Sequence, residues 1–282
     1  MENARISPLI SVIIPTYNRG WIINEAIDSV LAQDYINFEL IVVDDGSTDN
    51  THDILDSCHN NFLVLRQNNK GVSAARNRGL AAASGRLIAF LDSDDFWLPQ
   101  KLSRQVDFFQ SNPDALICQT EEIWIRNNVR VNPKKRHKKP SGMIFEPSLS
   151  LCLVSPSAVM IKKNLFEEVG LFDETLPACE DYDLWLRVSC RHPVHLIDTP
   201  LIIKRGGHDD QLSASPGLDK FRIKAIKKVI ESGLLSATQY QTAVETLKEK
   251  CDIYASGCRK RGRIGEAAYY KALAKRFSEP RW

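Results

Sequence analysis

The sequence lacks the features that would direct a chain into a membrane, onto nucleic acid or into an oxidising compartment. No apolar run approaches the ~20 residues of a membrane-crossing helix. The early run Leu9-Ile10-Ser11-Val12-Ile13-Ile14 is short and is cut by Pro15, so it is not expected to act as a secretory leader. Against 37 Lys and Arg stand 35 Asp and Glu, giving a formal net charge of +2 and a pI near 8.1. That balance does not make nucleic acid the main partner. The seven cysteines are odd in number, scattered and without a Cys-x-x-Cys pair. They argue for a reducing, cytoplasmic setting and against a zinc site. Two phosphate-holding signatures are also missing: there is no Gly-x-Gly-x-x-Gly after the first apolar run and no Gly-Lys-Ser/Thr loop.

What is present has the composition of a globular protein. With 282 residues, 43% of them hydrophobic, the chain is long enough for one large domain or a domain with an appendage. Its first third alternates strand and helix. Ile10–Ile14 reads as a buried strand, followed by apolar residues at helical spacing (Ile23, Ala26, Ile27, Val30, Leu31). Phe38–Val43 is a second strand that ends in acids, Asp44 and Asp45. Phe62–Leu65 is a third, and Gly71–Ala83 an Ala-rich helix stopped by Ser84-Gly85. A fourth strand, Leu87–Leu91, stops abruptly in Asp92-Ser93-Asp94-Asp95. Such alternation implies a parallel sheet with helices on both faces. In sheets of this kind ligands bind beyond the carboxyl ends of the strands. Two acids separated by one residue there suit Mg²⁺ or Mn²⁺ bridging to a diphosphate; the competing reading is a turn with solvated acids.

Beyond a helix expected from Pro99 to Pro113, Ala115–Cys118 and Ile123–Ile125 look like two strands. A basic loop follows (Lys134, Lys135, Arg136, His137, Lys138, Lys139), read first as solvated, with contact to an anionic ligand as the rival. Pro156–Ile161 is a further strand. Glu180 and Asp181 then open an amphipathic helix. Acids there complement the helix dipole, and Asp181 in a cleft would also serve as a general base. The glycines Gly206-Gly207 precede His208, a metal or phosphate contact or a structural histidine. From Asp219 the chain looks helical. Ala243, Leu247, Cys251 and Tyr254 form one stripe and Tyr269, Leu273 and Phe277 another, joined by the basic turn Gly257–Arg263. Together they read as a helical hairpin of tetratricopeptide type. The excess of Lys and Arg in this tail reads as a solvated surface or as electrostatic docking on anionic lipid.

Five stretches in order resemble the inverting glycosyltransferases of family two, which have the GT-A fold. They are Ser11–Asn18, Val42–Asp49, Gly71–Gly79, Phe90–Asp95 with its Asp-Ser-Asp (DXD) motif, and Glu180–Trp185. The resemblance spans about residues 8–212 and implies an α/β fold, a Rossmann-like, mostly parallel central sheet flanked by helices, with a C-terminal helical appendage. The expected organisation is a GT-A domain over residues 1–215 (nucleotide half about 8–112, acceptor half 113–215) and an extension over 216–282. By the same resemblance Pro15, Thr16 and Tyr17 line a nucleotide pocket, with Tyr17 against the base. Asp45 accepts a base N–H while Asp44 shapes the turn. Arg76 and Asn77 border the site, Asp92 lies near the ribose, Asp94 and His208 hold the metal, and Asp181 is the catalytic base. Uracil and guanine both offer a ring N–H, so Asp45 alone leaves the base open.

The expected activity is therefore transfer of a sugar from a nucleoside-diphosphate sugar, a UDP-sugar first, to an acceptor hydroxyl with inversion, aided by Mn²⁺ or Mg²⁺. It would serve surface glycan, polysaccharide or glycolipid assembly, with a glycan or lipid-linked acceptor and peripheral contact at the inner face of the membrane through the basic tail. Two rivals stand beside it: a sugar nucleotidyltransferase, whose Gly-rich phosphate loop Pro15-Thr16-Tyr17-Asn18 does not resemble, and a nucleotide-sugar-binding module without turnover.

Overall fold

The computed structural model describes residues 8–58, 62–132, 134–207 and 217–277. In chain order the first elements are β1 (Ile10–Thr16), α1 (Ile23–Leu31), β2 (Phe38–Asp44), α2 (Thr51–Ser57), β3 (Leu63–Arg66), α3 (Val72–Ala82) and β4 (Leu87–Phe90). The strands β2, β1 and β4 are buried on both faces, and their side chains alternate between two cores. Ile10, Val12, Ile14, Leu40, Val42, Leu87 and Ala89 pack with α1 on one side. Ile13, Ile41, Val43, Ile88 and Phe90 pack with α3 on the other. This period of two, apolar on both faces, is what a parallel strand covered by helices requires. Helix α3 comes close to β1 because it carries Gly79, where an added Cβ would stand 2.5 Å from Ile13 Cγ2.

The second half adds β5 (Phe96–Trp97), α4 (Lys101–Ser111), β6 (Ile117–Arg126), β7 (Val129–Val131), α5 (Phe145–Ser150), β8 (Val159–Lys162), α6 (Leu165–Val169), α7 (Glu180–Ser189) and β9 (His195–Gly206). Among the described residues the sheet runs β3-β2-β1-β4-β8-β6-β9-β5, with β7 paired to β6. Strands β3, β2, β1 and β4 are parallel. β8 is antiparallel to both β4 and β6, so β6 runs in the direction of β4, and β9 is parallel to β6. The two strands expected near residues 115–125 are one: β6 stays paired to β9 through register shifts at Thr120–Glu122. The strand expected from Pro156 begins only at Val159, because Pro156–Ala158 form a 3₁₀ turn. The α/β class expected from the sequence, with a mostly parallel sheet flanked by helices, is the architecture observed.

Three helices close the chain: α8 (Asp219–Glu231), α9 (Ala237–Lys260) and α10 (Ile264–Arg276). Ser236 caps α9 reciprocally with Gln239. The turn expected from Gly257 comes later, since α9 continues to Lys260 and the chain reverses at Gly262, in the left-handed region (φ 73°). Tyr270, rather than Tyr269, packs on Tyr254, with ring centroids 4.6 Å apart. The extension shares one core with α5 and α7: Phe145, Leu149, Tyr182 and Leu186 are buried together with Ile226, Leu247, Cys251 and Leu273. No helix among the described residues is long and apolar enough to cross a membrane.

Candidate active site

The carboxyl ends of β1, β2 and β4 lie on one edge of the sheet, since Thr16 pairs with Asp44 and Ile13 with Phe90. The loops after β1 and β2 are locked together. Asn18 Oδ1 accepts the Thr48 N–H at 2.8 Å, Asn18 N–H donates to Ser47 Oγ at 2.9 Å, and Asp44 Oδ1 accepts the Ser47 N–H at 2.9 Å. Gly46, with φ 80°, fits between because a Cβ there would meet Asn69 N at 2.7 Å. Asp45 is buried and accepts three hydrogen bonds, from Gln67 Nε2 (2.6 Å), Lys70 N (2.9 Å) and Gly71 N (2.8 Å). A carboxylate offers about four lone-pair sites, so Asp45 is fixed in orientation with capacity for one more donor.

Arg76, only 4% exposed, joins two regions far apart in sequence. Its Nη2 donates to Asp92 Oδ1 at 2.7 Å and its Nη1 to Glu180 Oε1 at 2.6 Å. Burial works against the Arg76 charge, but the two carboxylates outweigh it and hold the guanidinium firmly protonated. Burial pushes the Glu180 carboxyl up, and the neighbouring Asp181 adds to this against the pull of Arg76. Asp181 sits in the first turn of α7, with Oδ1 accepting the Tyr182 N–H at 2.7 Å. Its Oδ2 accepts from the Cys152 thiol at 3.5 Å. Burial and then the Asp181 charge push the Cys152 thiol up, so it remains a donor. The residue before α7, Cys179, has φ 62° and ψ 24°. The other non-glycine residues with positive φ among those described are asparagines, which tolerate it. Backbone strain is therefore stored next to Glu180-Asp181.

Asp95 is buried and doubly bonded: Oδ2 accepts from Ser157 Oγ at 2.7 Å and Oδ1 from Arg205 N at 2.9 Å. Burial, then the charge of Asp94, raises its carboxyl well above the ordinary range, while Lys204 opposes the shift. Ser157 Oγ also accepts the Asp92 N–H at 3.1 Å, so the turn before β8 fixes the acidic loop. Lys204 is itself held protonated: burial disfavours its charge, but Glu122, Asp95, Asp92 and Asp181 outweigh that.

One cavity of about 620 Å³ unites these groups, a size suited to a small-molecule substrate. Of the residues expected from the sequence, Pro15, Thr16, Tyr17, Asp45, Arg76, Asp92, Asp94 and Asp181 line it. Tyr17 is 42% exposed, with its ring available for contact. Asp44 lies behind the lining and shapes the turn. Asn77 also stands behind, with Nδ2 donating to Phe172 O and Glu174 Oε1, both at 2.9 Å, and Oδ1 accepting the Phe172 N–H at 3.0 Å. His208 lies outside the described residues. No three His, Cys, Asp or Glu side chains among the described residues converge as a metal cage. Among the lining residues that sequence reasoning missed are Cys152, Lys204 and Arg222. Arg222 comes from α8 in the extension; its Nη1 reaches Asp219 Oδ1 at 3.4 Å, and its buried Nε has no partner among the described residues.

A mostly parallel α/β sheet flanked by helices, with carboxylates clustered beyond its strand ends, is the GT-A architecture. The chain belongs to glycosyl transferase family 2, whose profile matches residues 11–170. An uncharacterized glycosyltransferase of Rickettsia typhi is 36% identical over 219 residues, covering 75% of this chain and 68% of the relative. The chain spans 35% of the length of two longer rickettsial relatives. The Escherichia coli UDP-Glc:α-D-GlcNAc-diphosphoundecaprenol β-1,3-glucosyltransferase WfgD is 36% identical over 199 residues, covering 70% of this chain and 76% of WfgD. Among solved structures, S. aureus TarS 1-349 with UDP-GlcNAc superposes with a TM-score of 0.69 at 22% identity, covering 90% of this chain and 74% of that one. Mannosyltransferase PcManGT from Pyrobaculum calidifontis, with GDP-Man and Mn²⁺, gives 0.61 at 18% identity, covering 96% and 76%. These two likenesses bear on the fold alone.

Proposed function

We propose that this glycosyltransferase moves a sugar from a nucleoside-diphosphate sugar, a UDP-sugar first, to a hydroxyl of a glycan carried on a lipid diphosphate, with inversion. The observation that carries the reading is that Asp181 shares one cavity with Asp45, Asp92 and Asp94. The specificity of WfgD, at 36% identity, supports the lipid-diphosphate acceptor and the β-linked product.

In this reading Asp45 spends its remaining acceptor capacity on a ring N–H of the base, and Tyr17 packs on the base between Pro15-Thr16 and solvent. Arg76 orients Asp92 toward the ribose. Asp94 would hold Mn²⁺ or Mg²⁺ together with the donor's phosphate oxygens, with His208 the second protein ligand expected from the sequence. One protein carboxylate plus phosphate oxygens is a normal arrangement for such hard cations. When bound, the cation neutralises charge on the leaving diphosphate. Asp181, oriented by the Tyr182 N–H and the Cys152 thiol, takes the proton of the acceptor hydroxyl. That oxygen forms the new bond to the anomeric carbon from the face opposite the diphosphate, whose C–O bond breaks. A single displacement turns an α-linked donor into a β-linked product. No covalent sugar–enzyme intermediate forms.

The test is incubation with UDP-sugars and a short-chain lipid-diphosphate GlcNAc acceptor, with the product anomer read from its proton coupling. A β-linked product from an α-linked donor is expected. Retention of the α configuration overturns inversion, and release of pyrophosphate from a nucleoside triphosphate overturns transfer in favour of nucleotidyl chemistry.

A further inference from the structure

We infer that the β6–β7 hairpin and the loop after it form a docking surface for an anionic lipid bilayer beside the mouth of the cavity. Between Glu122 and Glu146 lie 23 residues with no Asp or Glu, seven Lys or Arg, and His137. Removing those seven from the chain's 37 leaves 30 cations against 35 acids. The near-neutral total thus conceals a strongly basic segment on an otherwise acidic protein.

One of the seven is internal. Lys139 Nζ donates to Glu122 Oε2 at 2.7 Å and to Thr120 O at 3.0 Å, which pins the loop to β6. The other six, Arg126, Arg130, Lys134, Lys135, Arg136 and Lys138, are exposed, and none pairs with a carboxylate among the described residues. The loop is also held against β6 by an edge-on ring contact: the His137 ring lies 5.2 Å from the Trp124 ring. Two apolar side chains stand among the cations, Val129 at 63% and Met143 at 53% exposure.

Position gives the patch its meaning. β6 runs in the same direction as β4, so its end at Arg126 leaves the sheet at the edge that carries Asp92. Trp124 and Ile125 pair with Lys204 and Arg205, which line the cavity. A bilayer bound here would lie next to the opening. Anionic headgroups attract each nearby cation by roughly 1 kcal/mol, and shallow burial of apolar side chains adds to that attraction. Val129 and Met143 decide for lipid over a nucleic acid backbone, which offers them nothing to enter. The basic tail is a weaker rival, because its charges are interleaved with acids: Arg263 pairs with Glu266 at 3.3 Å and Lys271 with Asp252 at 2.7 Å.

The inference does not rest on the transfer reaction, because vesicle binding is read without donor or acceptor. The experiment is co-sedimentation of the full chain with phosphatidylcholine vesicles with and without phosphatidylglycerol. Binding only to the anionic vesicles, weakened by high salt, is expected. The triple variant Lys134→Ser, Lys135→Ser, Arg136→Ser should lower the partition coefficient about 100-fold. The triple variant Arg259→Ser, Lys260→Ser, Arg261→Ser should stay within about threefold of the unchanged protein. A circular-dichroism melt confirms that each variant is folded. Equal binding to zwitterionic vesicles, a loop variant that sediments unchanged, a tail variant that loses as much as the loop variant, or displacement from vesicles by an oligonucleotide overturns it.

Discussion

Asp45 and Asp181 line the same cavity but are held in different ways. Asp45 follows a parallel strand and is fixed by Gln67 and by the amides of Lys70 and Gly71, all from the adjoining strand-to-helix connection. Asp181 opens a helix behind a strained Cys179 and is steadied by a thiol from residue 152. Its wall is completed by Lys204 from β9 and Arg222 from α8, so it depends on how helices pack as well as on strand register. The first wall is thus a property of the sheet. The second is a property of the whole molecule, extension included, because α7 shares its core with α8 and α9. Such a division suits an enzyme that keeps one substrate while varying the other: the variable wall is the one whose geometry can change without disturbing the sheet.

Asp181→Asn is the sharpest way to separate the walls. The amide is nearly isosteric but cannot take the acceptor proton, so kcat should fall by about 10³-fold or more. Calorimetric titration with UDP and Mn²⁺ should give a Kd within about twofold of the unchanged protein. Loss of UDP binding along with turnover would mean that the two walls are one unit. Asp45→Asn should do the reverse, weakening UDP binding by roughly 10-fold or more, because its new N–H₂ group would replace an oxygen that accepts either from the Gly71 N–H or from Gln67 and the Lys70 N–H.

Arg76 bridges the walls, and its removal is the largest expected effect on stability. Arg76→Ala leaves Glu180, itself 6% exposed, beside Asp181 without its cation. Breaking a buried pair in this way costs about 3–5 kcal/mol, to be read from urea denaturation. Arg76→Lys should recover only part of that loss, since one ammonium does not reproduce a fork that reaches two carboxylates. A cost below about 1 kcal/mol would mean that the walls are joined by packing alone.

The same division explains what could be read from the sequence. Apolar runs ending in acids and the Asp92–Asp95 run are local patterns whose meaning is set by strand direction, so the first strands and the sheet edge that carries the cavity were legible. Asn77 was expected, by the family resemblance, to border the site with Arg76. One helical step turns it about 100° away, and it holds the Phe172 backbone instead. Lys204 and Ser157 had no local signal: each matters only because β9 and β8 come beside the acidic loop through antiparallel pairings that periodicity does not encode. Arg222 had no local signal either: it reaches the cavity only because α8 packs beside α7. The long β6 was divided in two because the polar Gln119–Glu122 interrupt its apolar pattern, whereas its partner β9 accommodates them with a register shift.

Arg222 tests whether the extension belongs to the second wall. Its place in the cavity, with Nη1 held only by Asp219 at 3.4 Å among the described residues, makes its guanidinium the natural contact for an anionic acceptor group. Arg222→Ala should raise the acceptor KM about tenfold, as loss of one charge-assisted hydrogen bond would, and leave UDP binding unchanged. An unchanged acceptor KM would return α8 to a purely structural role.

The smallest expected effect concerns how α8 is held. Lys228 Nζ donates to Asp173 Oδ2 at 2.8 Å and to the buried Asp183 Oδ2 at 3.1 Å, tying the extension to α7. Burial pushes the Asp173 carboxyl up, but the bonds from Lys228 and Thr175 outweigh it and hold the group well below the usual carboxylate range. A carboxyl depressed on folding adds stability that is fully present above its unfolded pKa and is lost as pH falls through the folded one. This contribution should therefore be constant at neutral pH and decline below about pH 4. Lys228→Ala should cost about 1 kcal/mol at pH 7, because Lys228 is half exposed and Arg187 still pairs with Asp183. The difference between the variant and the unchanged protein should shrink in acid, as read from melts across that range. A difference that grows on acidification would show that Lys228 holds α8 through something other than Asp173, and that the second wall is secured by packing alone.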